Sequence, residues 1–110
     1  MNEDTLSNIE AKIQASDAIK DDRKRELLQL IGTLKAEIAN LSRTNSESAQ
    51  SIAGFTELST HEATRSQQNP ELLQLSLKGL SSSVGGFEKS HPQLVQLVNN
   101  ISNMLSNLGI

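Results

Sequence analysis

Apolar residues recur along this chain at alternating spacings of three and four, the period of a helix buried along one side, and nowhere in the strict alternation of a strand. Leu6, Ile9 and Ile13 mark a first helix from about residue 4 to residue 15, and residues 16–20 connect it to the next. The second helix begins near Asp21, a candidate N-cap, and carries Leu27, Ile31, Leu34, Ile38 and Leu41 as a heptad seam. Leu28 and Leu30 widen that seam, which predicts packing against two neighbours instead of one coiled-coil partner. Arg43-Thr44-Asn45-Ser46-Glu47-Ser48 then interrupts the stripe with residues that favour caps and turns. A third helix, roughly residues 48–65, has an inner face of Ala49, Ile52, Phe55 or Thr56, Ser59 and Ala63. The same frame also runs through the interruption by way of Asn45, Ser48, Ile52 and Phe55, so one long bent helix over residues 21–65 is the alternative.

Punctuation is sharper in the second half. Asn69-Pro70 supplies an N-cap followed by proline at the first helical position, so a helix starts at Pro70. Its seam is Leu73, Leu77, Leu80, Val84 and Phe87, with Leu72 and Leu75 beside it, and Gly85-Gly86 predicts a bend or a close backbone contact near its end. Ser90, Pro92 and Gln93 together read as the capped start of a last helix, with Ser90 as N-cap. Leu94, Leu97, Val98, Ile101, Met104, Leu105 and Leu108 form its broad apolar face, and Gly109 with Ile110 reads as a Schellman stop. The fold class is therefore all-α: four or five amphipathic helices arranged as antiparallel hairpins in one domain over residues 1–110. Residues 1–65 form a charged N-terminal part, 66–69 a linker, and 70–110 a low-charge C-terminal hairpin.

Composition adds a reason to expect association. Leu, Ile, Val and Phe number 29 of 110 residues, enough for a core but a thin one. Self-association is the readiest source of further burial, so a homo-oligomer, or a complex with another helical protein, is expected. Charge distribution points the same way. Of the 23 charged side chains, fifteen lie in residues 1–43 and only Glu71, Lys78, Glu88 and Lys89 in residues 70–110, a surface able to pack against another chain without desolvating charge. The interface candidates are accordingly Leu94, Leu97, Val98, Ile101, Met104, Leu105 and Leu108.

These residues also carry a likeness. Asn69-Pro70-Glu71-Leu72-Leu73, then Leu80, Val84 and Phe87-Glu88-x-Ser90-His91-Pro92-x-Leu94, closing on Leu105-Ser106-Asn107-Leu108-Gly109-Ile110, resembles a family of small bacterial helical proteins known only as a domain of unknown function. The Phe-Glu-x-Ser-His-Pro block and the Leu-Gly-Ile end are its most specific marks. The resemblance implies a helical, bacterial, cytoplasmic protein and brings no activity or ligand with it.

Catalytic chemistry finds little footing. The chain lacks cysteine, which removes disulfides, thiolate nucleophiles and thiolate metal sites. His61-Glu62-Ala63-Thr64-Arg65 opens like a zincin helix, yet Arg65 stands where the second imidazole must be, so these residues read as a solvated face on which Glu57, His61 and Arg65 are neighbours. No metal or other cofactor is expected. Ser81-Ser82-Ser83 and Gly85-Gly86 match neither a triad nor a phosphate loop. His91, at a helix start with Ser90 before it and Glu88 nearby, is the best candidate for a polar site, and a groove there for a small ligand or a reaction is the alternative to an interaction role. Nucleic-acid binding is not expected: Lys20, Arg23, Lys24 and Arg25 are interleaved with Asp17, Asp21, Asp22 and Glu26, and Phe55 and Phe87 are the only aromatic residues. A membrane is not expected either, because no apolar run approaches the ~20 residues of a span and the last helix has no Lys or Arg on its polar face. An acidic N-terminus where a leader would be basic points to the cytoplasm. The expectation is a non-enzymatic interaction protein.

Overall fold

Each apolar seam becomes the inward side of its own helix, and the residues between seams become turns. The computed structural model describes residues 2–108, with side chains from Asp4 onward. It has five helices: α1 (Asn2–Ala15), α2 (Asp21–Leu41), α3 (Ser46–Thr64), α4 (Pro70–Ser83) and α5 (Pro92–Leu108), with no strand among the described residues.

The long bent helix over 21–65 does not form. α2 stops at Leu41, residues 42–44 turn, and Asn45 caps α3 by accepting from the Ser48 N–H at 3.2 Å. The cap chemistry of Asn45 outweighs the continuity of the heptad frame. Two other starts differ from the sequence reading. Lys20, not Asp21, is the N-cap of α2, with Asp21 and Asp22 in the first turn, where carboxylates favour the helix dipole. α5 begins at Pro92 and the His91 carbonyl accepts its first backbone bond, from Val95, so Ser90 lies one residue outside the cap position. Asn69 behaves as its sequence predicts: Oδ1 accepts from the N–H groups of Glu71 and Leu72 at 3.1 and 3.2 Å, and Pro70 opens α4. The bend expected at Gly85-Gly86 is made by Gly86 in a left-handed conformation, φ +94°, and Val84 and Phe87 continue the α4 seam beyond the helix itself. The stop read from Gly109 and Ile110 lies outside the described residues.

α1 packs on α2 and α3, α2 also on α3 and α5, and α4 on α3 and α5. Leu6, Ile9, Ile13, Leu27, Ile31, Leu34, Ile38, Ile52, Leu80, Val98, Ile101 and Leu105 are all buried in one core. The Cα radius of gyration is 12.9 Å, close to the ~13 Å expected of a closed domain of this length. One chain therefore completes its own core. α3 is the polar exception, since Thr56 and Thr60 are fully buried on its inner side. Thr56, Thr60 and Thr64 each donate their hydroxyl to the carbonyl four residues back, at 2.7, 2.8 and 2.7 Å, so these hydroxyls need no partner from another helix. Of the two inner-face alternatives, Thr56 is the buried one and Phe55 faces outward.

Candidate functional site

Of the three residues proposed for a polar site, Ser90 and His91 meet and Glu88 is engaged elsewhere. Glu88 folds back on its own turn, its two carboxylate oxygens accepting from the Gly86 N–H at 3.2 and 2.9 Å. Ser90 Oγ lies 3.0 Å from His91 Nδ1, and the His91 ring meets Phe87 edge-on with centroids 5.5 Å apart. Each of the three thus has a local structural task in the α4–α5 connection. Glu88 stabilises the glycine turn, and His91 closes over the half-buried Phe87.

The α5 face proposed as an interface is directed inward. Leu94, Leu97, Val98, Ile101, Met104 and Leu105 are buried against the rest of the chain, and Leu108 is half-buried. Burial within the monomer leaves this face almost no area to offer a second chain, and the reason is that α2, α3 and α4 already cover it.

Shallow clefts also open on the surface. One, of about 580 Å³, is lined by Lys12, Ser16, Asp17, His61, Thr64, Arg65 and Gln68 among others, at the carboxyl ends of α1 and α3. Basic residues are favourable there because a helix ends in unsatisfied carbonyls. Arg65 Nη1 is in any case engaged, donating to Glu62 Oε1 at 3.0 Å. Of the face read as solvated, His61 is exposed and Glu57 and Arg65 are half-buried, while Glu62 beside them is only 5% exposed. Smaller grooves of about 340 and 250 Å³ run between α2 and α5, lined by Glu26, Leu30, Asn103 and Met104, and by Thr33, Glu37, Gln93 and Leu97. Among the described residues no group of three His, Cys, Asp or Glu lies together as a metal set would.

What the surface does present is apolar. Phe55 and Leu58 on α3 and Leu72 and Leu75 on α4 are 37%, 45%, 41% and 63% exposed, the large hydrophobic residues that the core leaves out. They share one side of the α3–α4 hairpin. Phe55 and Leu58 are one turn apart, as are Leu72 and Leu75. Across the hairpin, the Phe55 ring lies so close over Gly79 that any Cβ on that glycine would collide with Cε1. Gly79 in turn sits four residues after Leu75, on the same flank of α4. Small residues let the two helices approach closely: Ser59 and Ala63 on α3, Ser76 and Gly79 on α4. The ring of Phe55 fills the notch that Gly79 leaves. Spacing alone sets Leu72 and Leu75 beside the seam without assigning them a side, and the signal for Leu58, otherwise missed, is an apolar residue off every inner stripe of its helix.

The family described as Domain of unknown function (DUF4404) matches residues 33–110. The chain belongs to the DUF4404 family. No curated protein and no solved structure matches it. The DUF4404 match begins inside α2 and takes in all of α3, α4 and α5, so Phe55, Leu58, Leu72 and Leu75 all lie within it while α1 lies outside. No helix of this DUF4404 protein among the described residues is long and apolar enough to cross a membrane.

Proposed function

We propose that the protein is a non-enzymatic, cytoplasmic interaction module that docks through the outer side of its α3–α4 hairpin. The observation that supports this reading is the exposed set Phe55, Leu58, Leu72 and Leu75 on one side of a chain whose core is otherwise closed. Solvated singly, such residues are unremarkable; clustered across two helices, they form the kind of patch that marks a contact surface. The C-terminal helices thus keep the interaction role, but α4 carries it in place of α5. A small-ligand or enzymatic site near His91 has no comparable support, because Glu88, Ser90 and His91 are occupied within the α4–α5 connection.

The test is retention of a protein on the immobilised chain from its native extract. Wild type retains a stoichiometric protein or, where the occupant is the same chain, associates with itself as it is concentrated. Leu72→Asp/Leu75→Asp loses it while keeping its helical circular dichroism, since both side chains are already exposed. Retention that survives this double variant, or a wild type that neither retains a stoichiometric protein nor associates with itself up to about 1 mM, overturns the reading. Ile101→Asp serves as the contrast: a charge at a fully buried position unfolds the chain, so its loss of retention is accompanied by loss of helicity.

A further inference from the structure

Resting on that interaction reading, we infer that the occupant of the α3–α4 face is a second copy of this chain, placed by a two-fold axis that runs beside Leu75. The charges on the face carry the inference. Glu71 and Lys78 are both exposed on α4, four residues before and three residues after Leu75. Two ion pairs occur among the described residues, Lys35 with Glu10 and Arg65 with Glu62, and neither Glu71 nor Lys78 takes part in them. They stand about 10 Å apart along the helix axis, and their midpoint falls within about 1 Å of the level of Leu75. When α4 meets a second α4 in antiparallel fashion about that point, each Glu71 comes opposite Lys78 of the partner subunit, and Leu75 packs at the axis.

The rest of the face suits the same occupant. On α4 Glu71 and Lys78 cancel, which gives that helix no electrostatic preference for a nucleic acid or an anionic membrane, whereas equal and opposite charges about one point suit a self-complementary contact. Ser51 and Gly54 on α3 and Gln74 and Ser82 on α4 are exposed around the apolar residues and can approach a second copy without desolvating an ion. The 14 residues of α4 beside an equal length of α3 present a face of roughly 400 Å² per copy. That is about half of what a standard stable dimer buries on each side. The dimer is therefore weak, with a dissociation constant on the order of 100 μM, and appears only as the protein is concentrated.

Sedimentation equilibrium of the purified chain between roughly 10 μM and 1 mM tests this, with a thermal melt of every variant to establish that it folds. The weight-average mass of wild type rises from one chain towards two across that range. Leu75→Glu stays at one chain with an unchanged melt. Lys78→Glu, which opposes like charges, weakens association about tenfold, and adding Glu71→Lys restores most of it because the pair is re-formed in reverse. A wild type that remains a single chain throughout, a Leu75→Glu variant that still dimerises, or a doubly reversed variant no tighter than Lys78→Glu overturns the inference. The retention experiment is read separately. A chain monomeric on its own that still holds a different protein through Leu72 and Leu75 overturns self-pairing and leaves the interaction role standing; a chain that neither dimerises nor retains anything loses both.

Discussion

Burial of the Glu62 carboxylate is tolerable because Arg65, three residues on, reaches back with Nη1 at 3.0 Å while its own side chain stays partly in water. Such a pair gives little net stability when intact, but removing one member strands the other. Arg65→Met is expected to lower stability by about 1–3 kcal/mol, less than a fully enclosed pair because solvent reaches the guanidinium. Glu62→Gln in the Arg65→Met background should recover part of that loss. Urea denaturation of the two single variants and the double variant measures it, and a double variant as unstable as the sum of the singles would show that the pair has no coupling. The Arg65–Glu62 contact was not legible beforehand. Spacing put Glu57, His61 and Arg65 on one face, but which flank of α3 turns inward depends on where α4 docks.

The helices themselves stop and start where side chains can replace missing backbone partners. Asn69 serves two N–H groups of α4 at once, so Asn69→Ala should cost about 1 kcal/mol, read as a lowered urea midpoint with an unchanged slope. No change would mean that water replaces Oδ1 without loss at this exposed turn. Seams were the most legible elements: Leu6, Ile9 and Ile13, then Leu27, Ile31, Leu34, Ile38 and Leu41, are buried as their spacing requires. Chain breaks were legible where a strong cap coincides with proline, as at Asn69-Pro70, and less so at Asn45, where an uninterrupted heptad frame competed with the cap. The candidate site was barely legible. Leu72, Leu75 and Leu97 are the same residue type at similar helical spacings, yet the first two are exposed and the third is buried. What separates them is the arrangement of neighbouring helices, which no single helix encodes.

Across the whole molecule, every helix packs against the helix that follows it in sequence. The contacts that reach further are α1 with α3, α3 with α5 and α2 with α5. Such an order has a consequence in time. A chain assembled largely from adjacent hairpins closes short loops before long ones, and little entropy is lost before the first favourable contact forms. The dominant refolding phase should therefore be fast, at roughly 100 s⁻¹ or above, with α2–α5 docking as the step that brings the most distant segments together. With neither Trp nor Tyr in the chain, the measurement is stopped-flow circular dichroism at helical wavelengths; a dominant phase lasting seconds would contradict it. Speed of closure also bears on the apolar side of the α3–α4 hairpin. Its residues lie next to one another in sequence, so the hairpin can present that surface before α5 has docked, and the newly made chain would meet its first contacts while still folding.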